Sequence, residues 1–274
     1  MAVPDMAFAV KAMGRVPPWN PMTRMLYMDR LEACYDRTFT ARVVESFPDA
    51  VVLDQTLFYP LGGGQEWDTG TLTTTDGRVV AVREVTKRGP VRHVVGPGHG
   101  LAIGDTVTGA IDWGRRYAHM RMHTAQHLVS GLAYEMFGGI RTVGNQIHAT
   151  RSRIDFNPVE FTNPMLADLA SAANDIIRSK QAITAATMTR DQVLAEQPPE
   201  RTNMDLLPKS VTDLRVIRIG ADVDLCPCAG THVLNTGEIG DVAILGRRAK
   251  GQGTQRVEYT LAGLEPNDAP KDSA

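Results

Sequence analysis

Residues 37–112 alternate apolar and polar positions in short runs that are rich in β-branched side chains. The segments "TARVVESFPDAVVLDQTLFYP" and "GRVVAVREV" show this pattern, and a period of two predicts β-strands. Turn-forming pairs such as Asp76-Gly77 and Gly104-Asp105 separate the runs. No segment of helical period interrupts them, so we expect a small antiparallel β-barrel in this part of the chain.

The period changes to that of a helix in "WGRRYAHMRMHTAQHLVSGLAYEMFGG", where Leu128, Leu132 and Met136 recur four residues apart. A second helix is predicted in "NPMLADLASAANDIIRSKQAI", with Asn163 as its N-cap and Pro164 in its first turn. Strand-like segments lie between and after the two helices, namely "RTVGNQIHATRSRIDFN", "DLRVIRIG", "IGDVAILGRRAK" and "TQRVEYTLAG". We therefore expect a second, α/β unit in which helices pack on an antiparallel sheet.

These patterns predict an α+β fold and divide the chain into four parts. The parts are a poorly ordered extension over 1–26, a β-barrel domain over 27–113, a mixed α/β domain over 114–263 and a disordered polar tail over 264–274.

Composition narrows the class of protein. Of the 274 residues, 43% are hydrophobic and 22% are charged, as in an ordinary globular protein. No apolar run reaches the ~18 residues of a membrane span. Three cysteines in no repeating frame favour a reducing cytoplasm over a disulfide scaffold. The formal net charge of −2 gives no sign of nucleic-acid binding, which would need a local basic face.

Four residues form the main chemical signal. His123 and His127 lie four residues apart on the predicted helix, so both imidazoles point from one face. Cys228 and His232 repeat this spacing in the distant segment "CPCAGTHVLNTGEIG". Three imidazoles and a thiolate form a natural zinc-binding set, so we expect one Zn²⁺ per chain. Four protein ligands would favour a structural ion, whereas three and a water would favour a catalytic one.

Other interpretations of these residues fit the sequence less well. Cys226 is a rival ligand, but the spacing of Cys228 to His232 matches that of the helix pair, and Cys226 is expected to pack at a strand end. His119 extends the helical row, although a single histidine on a helix is more often only a packed residue. A zincin would need glutamate where Thr124 stands. A cysteine-protease pair would leave the two helical histidines unexplained.

The blocks "TLFYPLGGGQEWDTG", "HTAQHL", "GNQI…RIDF" and "CPCAGTHVLNTGEIG" together resemble the editing region of alanyl-tRNA synthetase. The resemblance is closer to its free-standing relatives, the AlaX trans-editing proteins of medium length, and runs from about Tyr27 to Leu261. It implies that residues 114–263 form an editing domain and that His123, His127, Cys228 and His232 hold zinc. The implied reaction is hydrolysis of mischarged tRNA-Ala, above all Ser-tRNA-Ala and secondly Gly-tRNA-Ala. Such editing is needed because a pocket sized for a methyl group rejects glycine and serine only weakly.

The resemblance also nominates substrate-binding residues. Thr142 is expected to sense the serine hydroxyl, since Ala-tRNA-Ala would leave that hydrogen-bond partner unpaired; a residue that only fills a strand is the alternative. Gln146, in "GNQI", is a further candidate. The glycine-rich block is expected to bring its backbone close to the substrate, although a barrel corner would also use glycine; its residues are Gly62, Gly63, Gly64, Gln65 and Asp68. Glu66 departs from the family, which commonly has proline there.

Local clusters of basic residues are the expected phosphate contacts of a tRNA-binding protein; they are Arg115, Arg116, Arg121, Arg151, Arg153, Arg247, Arg248 and Lys250. The sequence thus predicts a cytoplasmic, zinc-dependent deacylase that acts in trans on mischarged tRNA-Ala, as a monomer or a homodimer. Two alternatives stay open: a tRNA-binding module with a structural zinc, and a metallohydrolase of small esters on the same fold.

Overall fold

The computed structural model describes residues 23–264, except 88, 203, 205, 206 and 208–210. The predicted extension therefore lies outside the described residues up to residue 22, and the predicted tail lies outside them from residue 265. Residues 24–25 already form a strand, so regular structure begins before the predicted boundary at residue 27. Within the described ranges, no helix is both long and apolar enough to span a membrane.

The first half of the chain is an antiparallel sheet with one short parallel pair beside it. Its strands are β1 (Arg24–Met25), β2 (Thr38–Ser46), β3 (Ala50–Leu53), β4 (Gln55–Thr56), β5 (Gly70–Thr74), β6 (Val79–Val82), β7 (Glu84–Thr86), β8 (Arg92–Val94) and β9 (Thr106–Ile111). Seven of them form one sheet in the order β6-β5-β9-β2-β3-β8-β7. The remaining strands, β1 and β4, pair with each other in parallel.

The seven-stranded sheet curls strongly. Its two edge strands, β6 and β7, are consecutive in the chain and only Arg83 lies between them, so the sheet must bend until its edges come close. No strand pairing joins these edges among the described residues. The antiparallel sheet is therefore confirmed, and a closed barrel stays a prediction. Alternate side chains such as Val43, Leu72 and Val107 fill the concave side and are almost fully buried.

The second half is mixed α and β, which confirms the α+β class. Its elements are α1 (Trp113–Met136), β10 (Arg141–Gln146), β11 (Ser152–Asn157), α2 (Asn163–Ser179), β12 (Ile183–Thr189), α3 (Arg190–Glu196), α4 (Pro199–Thr202), β13 (Asp213–Ile219), β14 (Asp224–Pro227), β15 (Val242–Gly251) and β16 (Thr254–Leu261). Two antiparallel sheets result, in the orders β10-β11-β16-β15 and β12-β13-β14.

The helix ends follow from local hydrogen bonds. Asp112 caps α1 by accepting a bond from the backbone N–H of Arg115 at 3.3 Å. The N-cap of α2 is Thr162, whose hydroxyl accepts from the N–H of Met165 at 3.3 Å. The prediction of Asn163 as the cap is therefore wrong by one residue, because Asn163 already lies in the helix while Thr162 keeps an extended backbone.

A buried ion pair joins the two halves of the chain. Arg116 of α1 and Asp68 of the glycine-rich block are both fully buried, with Nη2 2.5 Å from Oδ2. Arg116 also donates to the backbone carbonyl of Cys34 at 3.0 Å and to that of Leu57. The expected contact between Arg116 and phosphate is therefore wrong, because the guanidinium is inside the protein. Removing one partner of such a pair costs about 3–5 kcal/mol of folding free energy.

Candidate metal centre

The structure brings the four predicted ligands together. His123 and His127 come from one face of α1, and Cys228 and His232 come from the loop that follows β14. Their ligand atoms all lie within 4.8 Å of one another. The Sγ atom of Cys228 is 3.5 Å from His123 Nε2 and 3.4 Å from His232 Nε2. The three imidazoles are buried and the thiol is half-buried, so the group forms one compact donor set.

Each imidazole in this group has a polar partner on its Nδ1 atom. The partners of His123, His127 and His232 are, in turn, Gln65 Oε1 at 2.7 Å, Asp224 Oδ2 at 2.9 Å and Thr124 Oγ1 at 3.2 Å. The amide and carboxylate oxygens can only accept, and the Thr124 hydroxyl already donates to the Met120 carbonyl. All three rings therefore donate through Nδ1 and keep Nε2 for the centre. This is the usual arrangement of metal-binding histidines, so the donor set fits Zn²⁺.

The electrostatics of the group also suit a cation. Burial opposes ionisation of the Cys228 thiol, but His123, His127 and His232 outweigh it and hold the pKa of this thiol well below its ordinary value. Burial raises the pKa of Cys226 well above its ordinary value, and the nearby Asp224 and Cys228 add to the effect. Cys228 is therefore the thiolate of the pair, and a thiolate is the form that binds metal.

Cys226 lies where the sequence pattern predicted it, near the end of a strand. It belongs to β14 and pairs with Ile217 of β13. Among the described residues it is not part of the four-residue donor group. Cys226 lines the pocket beside that group, while Cys228 lies beyond the end of β14 in the loop that carries His232.

A pocket of about 410 Å³ opens beside the donor group. His123, His127 and Cys228 contribute to its wall. Much of the remaining wall comes from the glycine-rich loop, from α1, from β10 and from the cysteine loop, which are far apart in sequence. The volume is in the range of pockets that bind small ligands. The centre is thus reachable from outside rather than enclosed in the core.

Thr142 of β10 lies in this pocket as part of a polar cluster. Its hydroxyl bonds the hydroxyl of Ser130 at 2.8 Å, and Ser130 Oγ accepts from Gln126 Nε2 at 2.9 Å. All three residues contribute to the pocket wall. Sequence reasoning missed Gln126 and Ser130. The available signal was their position on α1, because Ser130 is three residues after His127 and therefore lies on the same helix face.

The glycine-rich loop is held against the centre. Gly62 and Gly63 line the pocket. Gly64 has φ of +84°, and a Cβ atom there would lie 1.8 Å from the side-chain oxygen of Asn145, so only glycine fits. Gln65 is fully buried and bonds both His123 and Thr231. This block therefore supports the metal ligands as well as the pocket.

Two predicted substrate-binding residues lie away from the pocket, and so does His119, the histidine that extends the helical row. Gln146 lines a second cleft and accepts a bond from Arg153 Nε at 2.9 Å. Asp68 is fully buried with Arg116. His119 is buried with its Nε2 3.4 Å from Glu66 Oε2 and is not part of the donor group in the described chain. The expected contact of Gln146 and Asp68 with the substrate does not fit their position in the structure.

The predicted phosphate contacts also separate into two kinds. Arg115 donates to the Trp67 carbonyl and pairs with Glu66, and Arg121 donates to the carbonyls of Ile239 and Ala262 at 2.8 Å each. These arginines bind parts of the protein itself. The side chains on the β15–β16 hairpin, in contrast, are exposed; they are Arg247, Arg248 and Lys250.

Two known sequence families match parts of the chain. Residues 24–115 match the family described as tRNA synthetases class II (A). Residues 214–258 match the family described as the threonyl and alanyl tRNA synthetase second additional domain. The first match covers all strands of the seven-stranded sheet, and the second covers the loop with Cys228 and His232. The fold and the site therefore define a protein of the synthetase-related editing class.

Similar proteins narrow this class. The alanyl-tRNA editing protein AlaX-M of Saccharolobus solfataricus is 36% identical over 242 residues, which are 88% of this chain and 99% of that protein. AlaX-M of Methanosarcina barkeri is 37% identical over 246 residues, with the same two shares. The alanine–tRNA ligase of Methanothrix thermoacetophila is 35% identical over 250 residues, which are 89% of this chain but 26% of the ligase. The chain belongs to the AlaX-M family of alanyl-tRNA editing proteins.

Proposed function

We propose that this protein is a zinc-dependent hydrolase that edits mischarged tRNA-Ala in trans, with Ser-tRNA-Ala as its main substrate and Gly-tRNA-Ala as its second. One observation carries the proposal: His123, His127, Cys228 and His232 converge beside an open pocket in a chain of the AlaX-M family. Action in trans is supported by the match to 99% of AlaX-M proteins, as against 26% of a ligase.

The four converging residues would hold one zinc ion. When bound, zinc supplies Lewis-acid chemistry that polarises an ester carbonyl or activates water. The chain's own residues prepare the site for it. Gln65, Asp224 and Thr124 fix the three imidazole rings through Nδ1, so that the Nε2 atoms need not reorganise when the ion binds.

Recognition of the serine side chain is assigned to the polar cluster on the pocket wall. Thr142 and Ser130 present two hydroxyls beside the Gln126 amide. A seryl hydroxyl can hydrogen-bond with this cluster, whereas an alanyl methyl group would leave a polar partner unpaired. Such a loss discriminates more strongly than a difference in size alone. Gly62 and Gly63 let the backbone approach the other side of the substrate.

The proposal also covers the domains of the chain, its partner and its location. We assign the pocket and its ligands to an editing domain over 114–263, and the curled sheet to a β-barrel domain over 27–113 that supplies the glycine-rich loop. The proposed partner is tRNA-Ala that carries the wrong amino acid. Aminoacyl-tRNA is made and used in the cytoplasm, so that is the location we propose.

One assay tests the proposal. The protein is incubated separately with Ser-tRNA-Ala, Gly-tRNA-Ala, Ala-tRNA-Ala and serine methyl ester, and the released amino acid is measured. We expect serine release from tRNA, slower glycine release, and little reaction with Ala-tRNA-Ala or the methyl ester. Tight binding of tRNA without release would instead support a binding module with a structural zinc. Rapid turnover of the methyl ester would support a small-ester hydrolase.

A further inference from the structure

Positive charge is concentrated on one sheet of the protein. Strands β10, β11, β15 and β16 carry six basic and two acidic side chains, which gives the sheet a net charge of +4 in a chain whose formal net charge is −2. The basic residues are Arg141, Arg153, Arg247, Arg248, Lys250 and Arg256. The rest of the chain therefore carries a net negative charge, and the sheet is a region of opposite sign that attracts anions.

The strand register places charged side chains on the sheet face that is turned away from the helices. Along β11, Ile154 and Phe156 are fully buried, and they alternate with Arg153 and Asp155. Asp155 pairs in register with Arg256, which pairs with Arg248 on the edge strand. Residues in register point to the same side of a sheet. Hence Arg153, Asp155, Arg256 and Arg248 share the outer face, whereas Arg247 is in register with the buried Val257 and points to the other side.

The acidic residues on this face are already used within it. Asp155 accepts two bonds from Arg256, at 2.7 and 2.8 Å, and Glu258 pairs with Arg151. Arg248 and Lys250, by contrast, are exposed on the edge strand and form no ion pair among the described residues. These two cations are therefore available to a partner without breaking an existing pair.

The outer face adjoins the metal pocket at strand β10. Thr142 and Asn145 of this strand line the metal pocket, whereas Gln146 lines a second cleft of about 530 Å³ on the outer side. Arg151 and Arg153 also line that cleft. Strand β10 thus has the pocket on one side and the basic face on the other. A polyanion on the face would have one end beside the pocket.

We propose that the outer face of the sheet β10-β11-β16-β15 binds the phosphate backbone of the tRNA acceptor arm, with the aminoacylated 3′ end passing the edge of β10 into the metal pocket. The proposal rests on the proposed function for the identity of its ligand. Three gaps between strands span about 14 Å, which accommodates several phosphates of one RNA strand. Contacts of arginine and lysine with phosphate position RNA without reading its sequence.

The test neutralises the two exposed cations in the variant Arg248→Gln/Lys250→Gln. Affinity for uncharged tRNA-Ala is measured between 50 and 200 mM salt, a range over which phosphate contacts lose much of their strength. At 200 mM salt we expect the double variant to bind roughly 10-fold more weakly than the wild type. The slope of log Kd against log salt should fall by about 1.5. The variant Arg42→Gln/Arg178→Gln removes the same charge from other exposed positions and should bind like the wild type.

A second substrate separates this surface from the chemistry. Serine esterified to the trinucleotide CCA has no acceptor stem, so the double variant should hydrolyse it at the wild-type rate. Unchanged affinity and salt slope for tRNA in the Arg248→Gln/Lys250→Gln variant would overturn the proposed surface. A wild-type protein that binds tRNA through this face but hydrolyses neither substrate would uphold the surface and overturn the proposed hydrolysis.

Discussion

Gln65 Oε1 lies 2.7 Å from His123 Nδ1, across a separation of 58 residues in the chain. This contact makes the glycine-rich block part of the metal centre. The amide of Gln65 also bonds the hydroxyl of Thr231, which immediately precedes the ligand His232. One fully buried side chain therefore supports both the helical histidine and the loop that carries the other pair of ligands.

The variant Gln65→Ala should weaken zinc binding by about 10- to 100-fold, because His123 loses the group that fixes its ring and tautomer. Competition with a chelator of known affinity measures the change. The matched control is Gln55→Ala, since Gln55 lies on β4 and its amide bonds the Thr40 carbonyl at 2.7 Å. Equal zinc affinity in the two variants would show that Gln65 does not position the ligand.

The two neighbouring cysteines should respond differently to the same substitution. In Cys228→Ser the protein should lose stoichiometric zinc and deacylation, because Cys228 is the thiolate of the donor group. In Cys226→Ser it should keep both, because that thiol is protonated and lies in a strand. Elemental analysis of both purified variants is the measurement. Loss of zinc from Cys226→Ser with retention in Cys228→Ser would reverse the assignment of the ligand.

Local spacing explains why the donor group was predictable. Residues four apart on a helix must share a face, so the convergence of His123 and His127 follows from the sequence alone. The Nδ1 partners are not predictable in this way: Asp224 is 97 residues from its histidine, and Thr124 is 108 residues from His232. Contacts over such separations depend on how the elements pack, which periodicity does not encode.

Two wrong expectations have the same origin. Arg115 and Arg116 are adjacent, so their side chains leave the helix about 100° apart and need not share an environment; Arg116 faces the core. Gln146 follows Asn145 on a strand, and successive side chains point to opposite faces. Asn145 lines the metal pocket and Gln146 the second cleft. In each case the helix or strand is predictable from the sequence, but the direction in which the side chain points is not.

The variant Thr142→Val should lower the selectivity for Ser-tRNA-Ala over Ala-tRNA-Ala by about 10-fold, the effect of losing one hydrogen bond to the substrate. Zinc content should stay the same, because Thr142 is not a member of the donor group and its hydroxyl bonds Ser130. The ratio of kcat/KM for the two substrates is the measurement. Thr187→Val, at an exposed position of β12, is the control. A ratio unchanged from wild type would exclude Thr142 as the sensor of the hydroxyl.

His93 should make the folded state sensitive to acid. Its ring is fully buried in the first half of the chain, where Nδ1 is 3.3 Å from the Val51 carbonyl and Nε2 is 2.9 Å from the Thr56 hydroxyl. The carbonyl can only accept, so Nδ1 donates and Nε2 accepts from Thr56, as in a neutral ring. Burial lowers the pKa of His93 from 6.5 to about 4.

The sign of the effect follows from this difference in pKa. Below pH 6.5 the unfolded chain binds a proton at His93 that the folded protein binds only near pH 4. Stability is therefore complete above pH 6.5 and falls as the pH decreases towards 4, by up to about 3 kcal/mol from this residue. Urea unfolding at pH 7.5, 5.5 and 4.5 measures the change. The variant His93→Gln should lack the contribution of this histidine, so its loss of stability on acidification should be smaller. Equal losses in the two proteins would show that His93 does not titrate on unfolding.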